Sequence, residues 1–147
     1  MRAIVELLSE DLEYLSHEIQ GDSIVINVRS KKSTAKCPYC GQMTDKVHSY
    51  YLRKLQDLPI QSKKVKLHIK RRKYFCANKE CIHRTFAEVF DFFDERGRNT
   101  KRLQEEILRV SLTQSSIAAS KYLKTSIADV GKSTICKMLK KGREKDC

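Results

Sequence analysis

Two closely spaced pairs of cysteines carry the clearest chemistry in this sequence. Cys37 and Cys40 have two residues between them and Gly41 directly after, while Cys76 and Cys81 have four residues between them. Two thiolates at such a spacing can point at one tetrahedral ion, and glycine accepts the backbone angles of the tight turn. The spacing predicts one structural zinc ion (Zn²⁺) that is held by all four cysteines, with no open coordination position.

The alternative is that these cysteines are buried or redox-active thiols. The first residues turn acidic too early for a secretory signal, so we expect a cytoplasmic, nucleoid-associated protein whose thiols stay reduced. His48 and His83 are alternative zinc ligands, although both fit better as ordinary surface or sheet residues. We expect Cys136 to be a small core residue on a helix and Cys147 to be a tail thiol.

The positive charge is concentrated in the middle of the chain. The 147 residues have a formal net charge of +12, of which residues 23–84 contribute +13, residues 1–22 contribute −5 and residues 85–147 contribute +4. With 40% hydrophobic and 33% charged residues, the chain is too apolar to be disordered and too polar for a membrane protein. We therefore predict no membrane partner.

The densest basic segment covers residues 63–73, where no residue is acidic. Like charges this close repel one another, so an unmixed basic segment favours a polyanionic partner such as nucleic acid. A merely solubilising face is the alternative. We predict phosphate contacts from its seven basic residues, which are Lys63, Lys64, Lys66, Lys70, Arg71, Arg72 and Lys73.

Hydrophobic periodicity predicts the elements that position these residues. Apolar residues at helical spacing predict a helix over residues 3–16, and strands are predicted over 23–29, 46–55 and 63–75. We expect a turn at residues 56–59. The hairpin that the last two strands would form brings the two cysteine pairs together.

Three helices are predicted after residue 98. Asn99 or Thr100 would cap the first and Thr113 the second, which covers residues 114–123. Gly142 would end the third, over residues 133–141. The expected inward residues are Leu103, Ile107 and Val110 of the first helix, Ile117, Ala118 and Leu123 of the second, and Ile135, Met138 and Leu139 of the third.

The last helix would face outward with small polar and basic residues, as a DNA-reading helix does: Ser133, Thr134, Lys137 and Lys141. The link over residues 124–132 is longer than the usual turn of a helix-turn-helix, so a plain three-helix bundle is the alternative. We predict an α+β fold in which a small, zinc-ribbon-like β module precedes a helix-turn-helix-like module. The predicted boundaries are an acidic helical leader (1–22), the zinc-finger module (23–88), a linker (89–98), the helical module (99–142) and a tail (143–147).

In combination, several short motifs resemble a known family. They are Cys37-Pro38-Tyr39-Cys40-Gly41, Arg53, Leu55, Asp57-Leu58-Pro59, Val65, Leu67, Phe75-Cys76, Asn78, Cys81 and Arg84-Thr85-Phe86-Ala87-Glu88. Together they are similar to the N-terminal zinc finger of the ISL-three family of bacterial insertion-sequence transposases, and the resemblance covers roughly residues 20–142. It implies that the finger and a following helix-turn-helix bind the transposon ends.

The resemblance also implies a separate catalytic domain, RNase H-like, in which three acidic residues hold divalent metal ions. We expect this chain to lack it, because five residues follow Gly142 and no apolar βαβ pattern is present. Asp91, Asp94 and Glu95 lie within five residues on a linker, whereas a two-metal site needs acids from separate elements. We therefore predict no catalytic residues and interpret these acids as a solvated surface.

The leading hypothesis is a non-catalytic, zinc-stabilised, sequence-specific DNA-binding protein. Double-stranded DNA, by resemblance the terminal inverted repeats of a transposon, is the expected partner, together with a second copy of the chain or a full-length transposase. A stand-alone regulator of transcription or transposition is the first alternative. An RNA- or ribosome-associated zinc ribbon is the second, and a redox enzyme ranks last.

Overall fold

The computed structural model describes residues 1–112, 116–129 and 131–145, and for residues 116, 125, 126 and 141–145 it describes the backbone alone. The fold is mixed α+β, as predicted. In chain order its elements are α1 (Arg2–Leu8), β1 (Leu12–Gln20), β2 (Ser23–Ser30), β3 (Ala35–Lys36), β4 (Met43–Thr44), β5 (Val47–Ile60), β6 (Lys63–Phe75), β7 (Thr85–Ala87), α2 (Lys101–Ser111), α3 (Ser116–Ser126) and α4 (Lys132–Lys145). No helix in these ranges is long and apolar enough to cross a lipid bilayer.

Most strands belong to one sheet, in which β1, β2, β6 and β5 are hydrogen-bonded neighbours in that order. The short strand β7 pairs with β6, and β3 pairs with β4 in a separate two-stranded sheet. The strand predicted over residues 23–29 is confirmed as β2.

The single helix predicted over residues 3–16 is wrong. The helix α1 ends at Leu8 because Ser9 takes an extended conformation, with φ −161° and ψ 134°. The chain then continues as β1, where the Glu13 carboxylate accepts a hydrogen bond from Arg29 Nε of β2 at 2.9 Å. Cross-strand pairs of this kind favour the strand over the helical spacing of the leucines.

The turn predicted at residues 56–59 is also wrong, because β5 runs through it. The chain turns instead at Gln61 and Ser62, which both have left-handed backbone angles, φ 49° and 63°. Two successive left-handed residues are typical of the two-residue turn that joins antiparallel strands. Pro59 is tolerated within β5 because, among the described strands, β5 lies at the edge of the sheet, and proline within a sheet is largely confined to edge strands.

The strand predicted over residues 63–75 is confirmed as β6, with a change of phase near its end. Val65, Leu67 and Ile69 are buried, as the alternation predicts, and Arg71 continues the series. The next buried residue is Tyr74, a step of three, which is typical of a β-bulge. As a result, Phe75 is 43% exposed, although strict alternation would bury it.

The chain forms two compact units. Unit 1 comprises Met1–His17, Ile26–Lys54 and Leu67–Phe92, and unit 2 comprises Glu18–Val25, Leu55–Lys66 and the described residues from Phe93 onward. Strands β1, β2, β5 and β6 therefore contribute residues to both units.

The helices pack around one hydrophobic cluster in unit 2. Its buried members are Leu103, Ile107, Ala119, Leu123, Ile127, Ala128 and Ile135, and Leu58 of β5 packs against them. The predicted N-cap is confirmed, because the Thr100 hydroxyl accepts a hydrogen bond from Leu103 N at 3.3 Å.

Two details of the predicted helices are wrong. Ile117 and Ala118 of α3 are exposed rather than inward, and Ala119 and Leu123 provide the buried face. The helix α4 runs through Gly142 to Lys145, so this glycine does not end it. The predicted cap Thr113 and the start of that helix at Gln114 lie outside the described residues.

Candidate metal centre and nucleic-acid interface

The first cysteine pair lies in the tight loop between β3 and β4. These strands pair with Ala35 opposite Thr44 and Lys36 opposite Met43. Within the loop, Cys37 N donates to the Gln42 carbonyl at 3.0 Å, and Gly41 N donates to the Cys37 carbonyl at 2.9 Å. Gly41 has φ +81°, a conformation that glycine adopts without strain. The turn thereby holds Cys37 and Cys40 on one knuckle.

The second cysteine pair lies in the connection between β6 and β7. These strands are antiparallel, with Lys73 opposite Ala87 and Phe75 opposite Thr85. Cys76 N donates to the Arg84 carbonyl at 2.8 Å, and Cys81 N donates to the Asn78 carbonyl at 3.1 Å. The loop therefore places Cys76 and Cys81 on a second, slightly larger knuckle.

The four sulfur atoms form one cluster. Each Sγ lies within 4.8 Å of the other three, and Cys40 Sγ lies 3.5 Å from Cys76 Sγ. A tetrahedral zinc ion with Zn–S bonds of about 2.3 Å requires sulfur separations of about 3.8 Å, so the donor set fits zinc in both type and spacing. Cys37 is buried against Tyr74 and Phe86, whereas Cys40 is exposed. As predicted, the hairpin of β5 and β6 brings the two pairs together.

The cluster does not ionise uniformly. A backbone hydrogen bond from Gln42 lowers the pKa of the Cys40 thiol to about 7. For Cys76, a backbone hydrogen bond from Asn78 favours the thiolate, but burial and the neighbouring thiols outweigh it and raise the pKa to about 12. Burial also raises the pKa of Cys81. Since like charges this close disfavour one another, four thiolates need a cation between them. Soft thiolate ligands favour zinc for that role.

Both histidines weighed as alternative ligands lie outside the cluster. His83 stacks on Tyr39 of the first knuckle, with ring centroids 3.6 Å apart and an interplanar angle of 17°. His48 meets Phe75 edge-on at 4.8 Å. Among the described residues, the cluster consists of the four cysteines alone. The stacked pair packs one knuckle against the other, so His83 supports the site without ligating.

Other residues considered for chemistry are also apart from the cluster. Cys136 is partly buried on α4, and Cys147 lies outside the described residues. Asp91, Asp94 and Glu95 are exposed on the segment between β7 and α2, as expected of a solvated surface.

The seven basic residues of β6 do not share one free surface. In unit 2, Lys63 Nζ donates to the Gly21 carbonyl at 2.9 Å, and Lys64 Nζ pairs with Asp129 Oδ1 at 2.8 Å. In unit 1, Arg72 donates to the Lys32 carbonyl. Part of the positive charge is therefore engaged within the protein.

The prediction that Arg71 contacts phosphate is wrong, because this residue is buried. The residue is 2% exposed, and its Nε donates to the Glu88 carbonyl at 2.8 Å. Its guanidinium also lies 5.7 Å from the centroid of the Tyr51 ring. A guanidinium buried in this way does not reach a phosphate, so Arg71 is a structural residue. The alternation of the strand already placed it on the same face as Ile69.

The remaining basic residues of β6 face outward to different degrees. Lys66 of unit 2 and Lys70 of unit 1 are exposed, and Lys73 is partly exposed. Unlike Arg71, these side chains are accessible to a polyanion.

The outer face of α4 agrees with the sequence analysis. Ser133, Thr134 and Lys137 are exposed, while Ile135 is fully buried. The backbone of Lys141 is helical, and its side chain lies outside the description. The connection from α3 to α4 is residues 127–131, shorter than the predicted link.

A buried polar network in unit 2 escaped the sequence analysis. Asp57 is 3% exposed, and its Oδ1 accepts hydrogen bonds from Thr100 Oγ1 at 2.7 Å and from Arg102 Nε at 2.8 Å. Asp57 Oδ2 accepts a further bond from Arg102 Nη2. The network ties β5 to the first turn of α2. In the sequence, the Asp57-Leu58-Pro59 motif is the signal of this network, although the motif alone does not indicate a partner for the carboxylate.

A comparison with known families agrees with this geometry. Residues 33–81 match a family model described as the zinc-finger of transposase IS204/IS1001/IS1096/IS1165. The match contains all four cysteines, so residues 33–81 form a zinc finger of this transposase type and bind one structural zinc ion, as predicted. No curated protein and no solved structure matches the chain.

Proposed function

We propose that this chain, with its transposase-type zinc finger, is a sequence-specific binding protein for double-stranded DNA. The observation that carries the proposal is the family match over residues 33–81, which includes the complete cysteine cluster. The net charge of +12 supports a polyanionic partner. By resemblance to the ISL-three family, the target is the terminal inverted repeat of a transposon.

Two kinds of DNA contact are proposed, one to the phosphates and one to the base edges. Lys66 and Lys70 supply phosphate contacts, supported by Lys73, because their side chains are accessible. Phosphate contacts set affinity and salt dependence but carry little sequence information. Lys63, Lys64 and Arg72 retain a smaller role in this scheme because they already have protein partners.

Sequence reading is assigned to α4. We propose that α3 and α4 act as a helix-turn-helix within the helical module (99–142), with Ser133, Thr134 and Lys137 against base edges. Their exposure, together with the burial of Ile135 on the opposite face, supports this assignment. Lys141 is placed on the same helix as a further phosphate contact. The five-residue connection is close to the three or four residues that the motif commonly uses.

In this proposal the chain performs no catalysis itself. It holds the DNA, while a second copy or a full-length transposase is the protein partner. The zinc site is structural, because four thiolates leave no coordination position for a substrate.

Selection from a random 25-bp duplex pool, followed by anisotropy titrations of the selected sequence, tests the proposal. We expect enrichment of one sequence, and a log–log salt slope that falls by about 0.9 for each lysine removed from the interface. The double variant Lys66→Ala/Lys70→Ala is compared with Lys31→Ala/Lys101→Ala, which loses the same charge at other exposed positions. Equal slopes for the two variants would remove β6 from the interface.

A second variant tests whether α4 contacts the bases. Ser133→Ala/Thr134→Ala should narrow the affinity ratio between selected and scrambled duplexes, since each specific base contact is worth about 1–3 kcal/mol. Failure to enrich any sequence, or tighter binding of structured RNA than of duplex DNA, would refute the proposed function.

A further inference from the structure

A row of exposed side chains follows one face of β5 within unit 1. It consists of His48, Tyr50, Leu52 and Lys54, which alternate along the strand and all face solvent. Tyr50 is 54% exposed and Leu52 is 53% exposed. Successive members of such a row are about 6.6–6.8 Å apart, twice the rise per residue of a strand.

Two residues of β6 extend this row sideways. Phe75, which the phase change of β6 turns outward, meets His48 edge-on with centroids 4.8 Å apart. Lys70 Nζ lies 4.7 Å from the centroid of the Tyr50 ring. The row therefore carries two exposed aromatic surfaces, the His48–Phe75 pair and Tyr50, and Lys70 lies next to the second.

The charge of the row has one sign. Within unit 1, neither β5 nor β6 contains an acidic residue, while both carry lysine or arginine. Exposed rings among positive charges are unusual for a solvated face, which normally mixes charges of both signs. The combination suits a ligand that has both flat apolar groups and negative charges.

We propose that this row binds single-stranded DNA, with unpaired bases stacked on Tyr50 and on the His48–Phe75 pair. Lys54 then neutralises an adjoining phosphate, and Lys70, which is assigned above to the duplex backbone, does the same when a single strand occupies the row. Stacking of successive bases on aromatic side chains beside a positive surface is the general mode of single-strand binding. The bases of a duplex cannot stack on these aromatic surfaces because they are already stacked on one another. The inference rests on the proposed function and adds that the chain also holds an unpaired segment of DNA.

The Lys70–Tyr50 contact is compatible with this mode. A cation–π contact at an exposed site is weak, so the ammonium can exchange the ring for a phosphate when a base arrives. The arrangement thus offers one nucleotide both a stacking surface and a counter-charge.

Fluorescence anisotropy of the zinc-loaded full chain with a labelled dT12 oligonucleotide tests the proposal. Tyr50→Ala should weaken dT12 binding by roughly 5- to 160-fold, the loss expected for one stacked base. Tyr50→Phe keeps the ring and should stay within about twofold of the wild type. Tyr122→Ala removes a similarly exposed tyrosine from α3 and serves as the matched control. Zinc content and circular dichroism verify that each variant is folded.

A second probe separates stacking from charge. A 12-mer of abasic sites has the phosphates of dT12 without its bases, so the wild type should bind it much more weakly and Tyr50→Ala should not reduce its binding further. Equal binding of dT12 and the abasic 12-mer would overturn the proposal. Tighter binding of rU12 than of dT12 would also overturn it. So would a protein that does not bind dT12 but self-associates through this row, which the loss of self-association in Tyr50→Ala would show.

Duplex titrations run in parallel keep the two proposals distinguishable. We expect Tyr50→Ala to change the affinity for the selected duplex by less than about twofold, because no base in a duplex stacks on this row. Tyr50→Ala weakening duplex and dT12 alike would overturn the separate single-strand site. Absence of any selected duplex, with dT12 binding lost in Tyr50→Ala, would refute the proposed function while upholding this site.

Discussion

Replacement of Asp57 by asparagine is the most direct test of how β5 holds the helical module. The Asp57 carboxylate is buried and accepts bonds from Thr100 Oγ1 and from two nitrogens of Arg102. Asparagine has nearly the same shape but only one oxygen, so its amide N–H group would face a guanidinium that also donates. The variant therefore removes the bidentate ion pair without creating a cavity.

The expected loss of unfolding free energy is about 2–3 kcal/mol. Hydrogen bonds to charged groups contribute about 1.5–3 kcal/mol each, and breaking a buried ion pair costs about 3–5 kcal/mol. The Arg102 side chain is 25% exposed, so water can compensate part of this loss. The Thr100 hydroxyl loses a charged acceptor as well, although it still caps Leu103 N.

Urea titration of the zinc-loaded protein, followed by circular dichroism, measures this change. Asp45→Asn is the matched control, because Asp45 is exposed and its loss should cost no more than about 0.5 kcal/mol. A double-mutant cycle with Arg102→Met isolates the pair and should give a coupling of about 0.5–3 kcal/mol. A cost for Asp57→Asn as small as that of the control, or a coupling of zero, would refute the reasoning.

Three further predictions concern the metal, the first knuckle and a buried carboxyl group. Cys40→Ser should lower bound zinc well below one ion per chain and reduce the melting temperature, whereas Cys136→Ser should retain the metal; elemental analysis distinguishes them. Gly41→Ala should destabilise the holo-protein by about 1 kcal/mol in a urea titration, because φ is +81° even though the new Cβ would lie 3.5 Å from the Lys36 side chain without a clash. Burial raises the pKa of Glu88 above 4.5, so the native state holds this proton more tightly than the unfolded chain does. Stability should therefore fall as the pH rises from about 4.5 through the raised pKa. Glu88→Gln can still accept the hydrogen bond from Arg72 N. Its unfolding free energy, measured by urea titration at several pH values across that range, should lack this pH-dependent fall.

The sequence was sufficient for those features that depend on local pattern. Alternating Val65, Leu67 and Ile69 predict a half-buried strand because side chains of a strand point to opposite faces in turn. The cysteine spacing predicts the metal because two closely spaced pairs can point four thiolates at one tetrahedral ion. The sequence predicts Asn99 or Thr100 as the cap of α2, because capping involves only one helical turn, and Thr100 is the residue that caps it.

Features that depend on distant partners were not predictable in this way. The segment after Ser9 has leucines at helical spacing, and only its pairing with β2 makes it a strand. Arg71 is basic and adjoins other basic residues, yet the carbonyl of Glu88, seventeen positions away, draws it inward. Gly142 resembles a stop signal, but glycine merely weakens a helix and does not forbid one. In each case a tertiary contact or a small energy difference decides, and neither is visible in a short window.

The position of the cysteines also determines what the metal does to the unfolded chain. Cys40 and Cys76 are 36 positions apart, so an ion that joins them closes a loop of that length. By the chain-entropy relation for a covalent cross-link, closing such a loop disfavours the unfolded ensemble by about 4 kcal/mol. Zinc thus acts as a reversible cross-link: a chelator that removes the ion restores the conformational entropy of the whole segment between Cys40 and Cys76.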